Sequence, residues 1–322
     1  MQLWLDQYLK HLEVNKRLAR RTIEMYRLDL ERLAKHSQIE KLDAKAIQTH
    51  HIRHWVLLAR ADHLSPRSIA LQLSVWRGFF RWLVDLGDLS SNPCLGVKGP
   101  KAAKPLPKAL GVDAAMALAN FQPQTTDAAQ APWLLARDTL IVELLYGCGL
   151  RVSELVGLEI AASNEAMRDG RGWIDEQAGE VHVFGKGSKR RMVPLGGKAL
   201  DALLIYKPYR MALSKDDAPP GTLEASLLMG SKGKRITRAA VWAMLRSRSL
   251  AAGLTSPVHP HMLRHSFASH VLQSSGDLRA VQELLGHSSI ASTQVYTKLD
   301  FQHLAQIYDN SHPRAKIAKG KE

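Results

Sequence analysis

The second part of the chain contains side chains suited to chemistry on a phosphate ester. A tyrosine hydroxyl has a pKa near ~10, so only about a thousandth of it is phenolate at pH 7, and its surroundings must supply about 4 kcal/mol for attack. Arginines provide positive charge without titrating and can hold two phosphate oxygens at once. Lysine and histidine can carry the protons. The candidates of these types are Arg151, Lys186, His261, Arg264, His287 and Tyr296.

Each candidate also has an ordinary structural interpretation. An arginine at the start of a helix is commonly a surface ion-pair partner, and a tyrosine beside Val295 is commonly buried in a core or an interface. The complete set favours chemistry over structure. A nucleophile, two permanent cations and three groups that exchange protons suit attack on a phosphodiester.

A zinc site is the main alternative for the histidines. Five of them fall within 29 positions of the chain. The pattern HExxH is absent, and no Asp, Glu or Cys stands at ligand spacing among them before Asp277. The sequence therefore predicts neither a bound metal nor another cofactor. The histidines are His259, His261, His265, His270 and His287.

The balance of charge indicates a polyanionic partner. The 322 residues include 44 Lys and Arg against 30 Asp and Glu, a net charge of +14, in a composition that is 45% hydrophobic, as in ordinary globular proteins. Residues 1–100 hold 16 basic and 10 acidic side chains, and residues 101–322 hold 28 and 20, so both parts are basic. DNA or RNA is the favoured partner, and an anionic membrane surface is a weaker alternative.

The cysteines and the N-terminal sequence indicate the compartment. Cys94 and Cys148 lie 54 positions apart without a CxxC pair, which favours a reducing environment over a disulfide framework. Asp6 interrupts what would be the apolar core of a signal peptide, and no stretch approaches the ~18 apolar residues of a membrane span. We expect a cytoplasmic protein that has no membrane partner.

The elements that must position the candidates fall into two domains. Residues 1–95 have helical periodicity, and their clearest helix begins with Ser65 as N-cap and Pro66 in the first turn. The next segment is rich in Pro, Gly and Lys and predicts an exposed basic linker. The predicted organisation is a helical domain over 1–95, a linker over 96–108, a second domain over 109–300, and a C-terminal helix and tail over 301–322.

The second domain changes from helical to alternating periodicity and back. Residues 180–184 and 190–195 alternate in polarity around Gly-rich turn residues, which predicts a β-hairpin with Lys186 near its tip. Helical periodicity then returns. On one of the later helices, His261 and Arg264 lie one turn apart on the same face.

Four stretches around the candidates resemble the active-site boxes of the tyrosine recombinases, in order and in spacing, and a fifth resembles the last helix of that family's core-binding domain. The resemblance implies a mainly α fold. It would be a two-domain DNA clamp, with an N-terminal helical SAM-like core-binding domain and a mostly helical catalytic domain that has a small antiparallel sheet. The stretches are GCGLRVSEL, HVFGKGSKRRMVPL, HPHMLRHSFASHVL, LLGHSSIASTQVYT and LSPRSIALQLSVWRGFFRWL.

The resemblance also implies a role for each candidate. Tyr296 would attack the scissile phosphate, giving a 3′-phosphotyrosyl enzyme and a free 5′ hydroxyl. Arg151 and Arg264 would hold the phosphate oxygens, assisted by the two histidines of the set, and Lys186 would be the general acid for the leaving 5′ oxygen. Because one phosphodiester is exchanged for another, the reaction would need no ATP, no metal and no other cofactor.

The sequence around and after Tyr296, QSSGDLRAVQELLGHSSIASTQVYTKLDFQHLAQIYDNSHPRAK, resembles the paired bacterial recombinases that resolve chromosome dimers at cell division. This implies three partners: a double-stranded recombination site, a second recombinase in a tetramer of two plus two, and a septal DNA translocase. A phage or transposon integrase, a type IB topoisomerase and a catalytically idle DNA-binding protein are the alternatives.

The C-terminal segment has an apolar stripe at helical spacing directly after Tyr296, which predicts an amphipathic helix. The helix could pack on its own domain. By analogy with the family, we expect it instead to dock on a neighbouring protomer, where a helix in a groove needs such a stripe. The stripe consists of Phe301, Leu304, Ala305 and Tyr308.

The chain departs from the family's pattern in two places. Residues 159–179 are longer than the family leads us to expect, and we predict an extended loop before the hairpin. Lys298 stands where a histidine is expected. Neither position is catalytic, so the implied activity does not depend on them.

Overall fold

The chain folds into two compact units, Met1–Pro105 and Leu106–Glu322, each around a core of its own. The boundary falls inside the predicted linker segment. Among the residues described here, no helix combines the length and the apolarity needed to cross a membrane. The computed structural model describes residues 1–101, 109–123, 131–185, 190–213, 225–231, 233–286 and 298–315.

The described residues of the first unit form helices, as the periodicity predicts. The last helix begins where expected: the hydroxyl of Ser65 accepts a hydrogen bond from the main-chain N–H of Ser68 at 3.1 Å, and Pro66 occupies the first turn. The helices are α1 (Gln2–Val14), α2 (Arg20–Ile39), α3 (Thr49–Ala61) and α4 (Pro66–Asp85).

Two fully buried tryptophans hold these helices together. Trp55 on α3 and Trp76 on α4 meet edge to face, with ring centroids 6.1 Å apart. Trp76 donates to the main-chain carbonyl of Asp29 on α2 at 2.8 Å, and Trp55 donates to Oε1 of Glu40 at 2.6 Å. A buried N–H without an acceptor costs about 1–3 kcal/mol, so these bonds fix how the three helices pack.

The first unit continues past residue 95, where the sequence predicts that it ends. Cys94 and Val97 are both buried in its core. The guanidinium of Arg77 on α4 donates to the carbonyl of Val97 at 2.6 Å and to that of Cys94 at 3.4 Å. Because these bonds tie the chain to α4, the first residues of the segment 96–108 belong to the folded unit and not to a free linker.

A helix buried on all sides forms the centre of the second unit. On α6 (Pro132–Tyr146), every side chain from residue 140 to residue 146 is buried. Such burial is typical of a helix inside a core. The other helices are α5 (Val112–Asn120), α7 (Val152–Val156), α8 (Asn164–Arg168), α9 (Gly197–Leu213), α10 (Arg238–Ala251), α11 (Pro260–Ser275), α12 (Leu278–Leu285) and α13 (Lys298–Ser311).

The second unit also contains a three-stranded antiparallel sheet in the order β1 (Trp173–Asp175), β2 (Glu180–Phe184) and β3 (Arg190–Pro194). Strands β2 and β3 are the predicted hairpin. The valines of β2 and β3 lie on one face and are buried in the core, as the period of two requires. The mainly helical fold with this small sheet confirms the predicted fold class.

The segment 159–179 is more ordered than the predicted extended loop. It contains the short helix α8, which begins where the hydroxyl of Ser163 accepts from the N–H of Ala166 at 2.9 Å. It also contains β1, which extends the hairpin into a sheet. A strand of three residues is too short for its alternation to be separated from a loop in the sequence.

Helix α13 packs on its own domain in the single chain. Leu304 and Tyr308 are buried in a cluster with Phe267 of α11 and Leu284 of α12. Two residues of the stripe, Leu304 and Tyr308, are therefore covered within the same unit by an apolar surface on α11 and α12. The expected docking of this helix on a neighbouring protomer stays a prediction.

Buried polar contacts fix the residues that follow α13. The guanidinium of Arg314 donates to both carboxylate oxygens of Glu143 on α6, with Nε at 3.0 Å from Oε2, and to Oδ1 of Asn120 at 2.8 Å. The carbonyl of Ala315 accepts from the N–H of Gly197 at 2.8 Å. The last described residues are thus part of the core of the second unit.

Protonation of His312 in this tail should oppose folding. The residue is 4% exposed, and its Nδ1 accepts from the N–H of Arg314 at 3.2 Å. Burial, with His270 and Arg314 adding to it, lowers the pKa of His312 from 6.5 to about 3. Between these two pH values the unfolded chain binds a proton that the folded chain does not. The free energy of unfolding therefore falls as the pH drops below about 6.5.

We expect the His312 contribution to lower the free energy of unfolding by about 2 kcal/mol between pH 7 and pH 5, at about 1.36 kcal/mol per pKa unit. Urea unfolding at both pH values measures it. In His312→Asn, the side chain does not titrate but can still accept from the N–H of Arg314. Between pH 7 and pH 5, this variant should therefore lose about 2 kcal/mol less unfolding free energy than the wild-type protein. Equal pH dependence in the two proteins would contradict the interpretation.

Candidate active site

The structure brings two of the predicted site residues together at one buried carboxylate. Arg151 and Arg264 both approach Glu154. His261 is also described, and it is exposed in the first turn of α11. The remaining predicted residues lie outside the described part of the chain, so their roles stay predictions: Lys186, His287 and Tyr296.

Arg151 lies at the N-terminal end of α7. Its main-chain N–H donates to Oε2 of Glu154 at 2.8 Å, and its guanidinium Nη1 donates to Oε1 at 2.8 Å. A glutamate three residues into a helix commonly caps the helix in this way. Nη2 of Arg151 also donates to the carbonyl of Gly286 at 3.3 Å. The side chain remains 31% exposed, so a ligand can reach it.

Arg264 lies in the second turn of α11, and its side chain is 9% exposed. Nη1 donates to the carbonyl of Gly149 at 2.6 Å and lies 3.9 Å from Oε2 of Glu154, while Nη2 donates to the carbonyl of Leu285. Burial and the nearby charge of Arg151 lower the pKa of Arg264 to about 9, against the opposing effect of Glu154. The guanidinium is therefore charged at pH 7.

Glu154 receives a third guanidinium from Arg191 on β3. Arg191 donates to both carboxylate oxygens, at 2.7 Å and 2.9 Å. Burial by itself raises the pKa of Glu154, but the bonds from Arg191 and Arg151 outweigh burial, and the net shift lowers the pKa. One ionised carboxylate among Arg151, Arg191 and Arg264 leaves an excess of positive charge. We call these four side chains the arginine cluster.

Two members of the arginine cluster, Glu154 and Arg191, were not predicted from the sequence. Glu154 follows Arg151 by three residues, the spacing of a helix cap, and that spacing was a usable signal. Arg191 stands in a run of basic residues where charge predicts exposure, yet it is 6% exposed. Its pairing with Val183 places it on the buried face of the sheet. Nothing in the sequence separates it from the exposed Arg190 beside it.

Two glycines allow the backbone to reach the arginines. Gly149 has a φ of +60°, and a Cβ there would lie 2.5 Å from the ring of Phe267. Gly286 has a φ of +64°, and a Cβ there would lie 2.8 Å from Cδ of Arg191. Only glycine adopts such a backbone without strain. The two carbonyls that accept bonds from Arg264 and Arg151 therefore depend on these glycines.

His261 lies beside an aromatic pair at the start of α11. His259, the N-cap residue, stacks on Trp242 with centroids 4.8 Å apart, and its ring centroid lies 6.4 Å from that of His261. Burial, with the charge of His261 adding to it, lowers the pKa of His259. At pH 7 His259 is therefore a neutral packing group. It supports the helix start that carries His261.

The arginine cluster has the chemistry of a phosphate-binding site. Each guanidinium has five N–H donors, and the contacts described above occupy only part of that capacity. Two guanidinia can bind two non-bridging phosphate oxygens and stabilise the added charge of a pentacoordinate phosphorus. Within the described ranges, no group of three or more His, Cys, Asp or Glu side chains is arranged to hold a metal ion.

Two protein-family models match this chain. The model of the phage integrase N-terminal SAM-like domain matches residues 5–87, and the model of the phage integrase family matches residues 123–303. This chain belongs to the phage integrase family. The residues of the arginine cluster all lie within the second match.

Other phage integrase family members are similar over nearly the whole chain. Tyrosine recombinase XerC of Ralstonia pickettii is 48% identical over 315 residues, which cover 96% of this chain and 93% of the relative. Tyrosine recombinase XerC of Proteus mirabilis is 41% identical over 320 residues, which cover 99% and 96%. The resemblance inferred from the sequence motifs is confirmed. The chain is a tyrosine recombinase, an enzyme that transfers DNA strands.

A solved structure shares the fold. The XerH site-specific recombinase, bound to a palindromic difH substrate, matches with a TM-score of 0.63 over 95% of this chain and 83% of that chain, at 22% identity. This confirms the predicted succession of a helical N-terminal domain and a mostly helical catalytic domain.

Glu154 and Arg191 should depend on each other for stability. Glu154→Gln leaves the buried guanidinium of Arg191 without its counter-charge and should cost about 3 kcal/mol of unfolding free energy. The double variant Glu154→Gln/Arg191→Met removes both charges. Its loss of unfolding free energy should be smaller, by at least about 1 kcal/mol, than the sum of the losses in the single variants Glu154→Gln and Arg191→Met. Urea unfolding at pH 7 measures all three.

The exposed pair Arg279 and Glu283 on α12, 2.9 Å apart, provides the control. Glu283→Gln should cost less than about 0.5 kcal/mol, because exposed ion pairs contribute little. Strict additivity of the Glu154 and Arg191 variants would show that the buried pair is not coupled and that the arginine cluster is not a unit.

Proposed function

We propose that this chain is a site-specific recombinase of the XerC type, which resolves chromosome and plasmid dimers at cell division. It would cut DNA at a recombination site, keep the cut end as a 3′-phosphotyrosyl ester and join that end to a partner strand. The observation that carries the proposal is the arginine cluster, in which Arg151 and Arg264 converge with an excess of positive charge. The XerC relatives, at up to 48% identity, support the choice within the family.

In the proposed reaction, the phenol oxygen of Tyr296 bonds to the phosphorus of the scissile phosphate while the bond from phosphorus to the 5′ oxygen breaks. Arg151 and Arg264 bind the non-bridging oxygens, whose charge grows in the transition state. Lys186 gives a proton to the leaving 5′ oxygen, and the two predicted histidines, at 261 and 287, take up the phenol proton. Attack by the 5′ hydroxyl of another strand reverses each bond change.

The proposed reaction requires neither ATP nor a metal ion. The bond energy of the broken phosphodiester is kept in the tyrosyl ester, so rejoining needs no further energy source. Many phosphoryl-transfer enzymes use a bound cation to stabilise the transition state. Here the fixed charges of Arg151 and Arg264 would serve that purpose.

The proposal includes the partners of the reaction. Double-stranded DNA carrying a recombination site would be bound by the two basic units, in the bacterial cytoplasm. A second, XerD-like recombinase would join this chain in a heterotetramer of two plus two around one Holliday junction. A septal DNA translocase would control when the tetramer acts.

Replacement of the nucleophile should abolish covalent chemistry and leave DNA binding intact. A nicked suicide duplex that carries the recombination site should trap a covalent protein–DNA adduct in EDTA and without ATP. In Tyr296→Phe, which lacks only the attacking oxygen, the adduct should disappear, while the Kd for the duplex should change less than about twofold. Denaturing gels and gel-shift assays measure the two effects.

Three results would overturn the proposal. An adduct that persists in Tyr296→Phe means that another residue is the nucleophile. Relaxation of any supercoiled plasmid, with or without a recombination site, indicates a type IB topoisomerase. Binding without any adduct in the wild-type protein indicates a DNA-binding protein with an idle site.

A better leaving group should compensate for loss of the general acid. Lys186→Ala should slow cleavage of an ordinary phosphodiester by about 10²-fold or more, because the 5′ oxygen then leaves without a proton. A substrate with sulfur at the 5′ bridging position leaves as a thiolate and needs no acid, so its cleavage should slow only a few-fold. Equal losses on both substrates in single-turnover assays would exclude the general-acid role.

A further inference from the structure

The segment 159–179, which is longer than expected for the family, is firmly joined to the catalytic unit. Glu159 is 1% exposed, and its Oε1 accepts from Arg171 and from Arg235, each at 2.8 Å. The N–H of Glu159 donates to the carbonyl of Gly172 at 2.8 Å. The residues between these anchors include α8, and the chain then enters β1. The segment therefore holds Trp173 in a fixed position beside the hairpin.

Trp173 packs on the middle strand of the sheet. It pairs in register with His182 on β2, and the two rings stack with centroids 4.8 Å apart and planes 20° from parallel. Trp173 is 6% exposed and His182 is 5% exposed. Two rings fixed by strand pairing and stacking leave little freedom to β2.

Arg190, the first residue of β3, completes the contact. Its guanidinium carbon lies 4.8 Å from the centroid of the Trp173 ring, and its Nη2 lies 2.8 Å from Nδ1 of His182. Successive residues of a strand point to opposite faces. On one face of the sheet, Arg191 therefore contacts Glu154 in the arginine cluster. On the other face, Arg190 contacts Trp173 and His182.

The hydrogen bonds of His182 determine its protonation. A guanidinium has no acceptor, so Nδ1 of His182 must accept from Arg190, and the ring proton lies on Nε2. Nε2 is 3.3 Å from Oε2 of Glu180, to which it can donate. Burial, with the charge of Arg190 adding to it, lowers the pKa of His182 to about 4. The ring is neutral at pH 7 and connects Arg190 to Glu180.

These contacts hold both strand ends that flank Lys186. Phe184, at the end of β2, pairs with Arg190, at the start of β3. In the sequence, Lys186 follows Phe184 by two residues and precedes Arg190 by four. A side chain that must donate a proton at hydrogen-bond distance depends on how firmly its backbone is anchored.

We propose that Trp173, His182 and Arg190 form a brace that positions Lys186 for proton donation, and that the extended segment 159–179 serves to supply the tryptophan. We call these three residues the hairpin brace. The inference rests on the proposed function, in which Lys186 is the general acid. The brace residues are positioning residues and need not touch DNA.

The test compares cleavage of an ordinary 5′ bridging oxygen with cleavage of a 5′ bridging sulfur. Arg190→Lys keeps the charge but loses the flat group that covers Trp173, and Trp173→Leu removes the stack. Both should slow cleavage at oxygen about tenfold and cleavage at sulfur less than about twofold, because only the first reaction needs a placed acid. Trp173→Phe keeps an aromatic ring and should restore most of the rate at oxygen.

Arg168→Lys is the matched control, because Arg168 is an exposed residue of α8 in the same segment. It should leave both rates unchanged. If the variants of the hairpin brace slow both substrates equally, or slow neither, the positioning role is wrong. Arg190 is exposed, so Arg190→Lys tests the proposal even if Trp173→Leu does not fold.

Lys186→Ala in the same assay separates this inference from the proposed function. If it shows no selective loss at oxygen, the general-acid role itself fails. If it shows that loss and Arg190→Lys does not, the hairpin brace alone is overturned.

Discussion

The ionised carboxylate of Glu154 is the constraint on which the catalytic unit depends. Three guanidinia from α7, β3 and α11 converge on it, and two of them are nearly inaccessible to water. Like charges repel strongly where water is scarce, so such a group of cations needs an anion at its centre. Glu154 therefore determines where the hairpin and the two helices meet. The backbone carbonyls of Gly149, Leu285 and Gly286 complete the environment and bring the end of α12 to the same point.

One carboxylate does not balance three cations, and this incomplete neutralisation makes the arrangement suitable for DNA chemistry. The arginines are fixed before any phosphate arrives, so little reorganisation is needed when negative charge develops on its oxygens. The partly exposed Arg151 gives a ligand access to the site, whereas the buried Arg264 is held rigidly behind it. In the proposed reaction both properties would be needed, because one site would stabilise the cutting step and the rejoining step.

The sequence was most informative where periodicity or residue chemistry is unambiguous. The N-cap at Ser65 and the β2–β3 hairpin could both be predicted. Arg151 and Arg264, singled out from the sequence, lie at one carboxylate, and their roles stay predictions. Arg191 could not, because a charged residue in an alternating strand is normally exposed, and only the strand register shows that it is buried. The strand β1 was too short to recognise. The helix α13 was correctly predicted from its apolar stripe, but a stripe does not specify its partner. Leu304 and Tyr308 pack on α11 and α12 of the same chain, and docking on a neighbouring protomer stays a prediction.

The bond between Arg314 and Glu143 joins residues 171 positions apart, from near the C-terminus to the central helix α6. During synthesis, residue 143 leaves the ribosome long before residue 314. The carboxylate of Glu143 on α6 therefore has no buried partner until Arg314 has been made. The first unit, in contrast, has all its described core residues by residue 97 and can fold while synthesis continues. Order of synthesis therefore separates the two units in time. The nascent chain can complete the core of its first unit early, whereas the core of the second unit closes only after Arg314 has emerged.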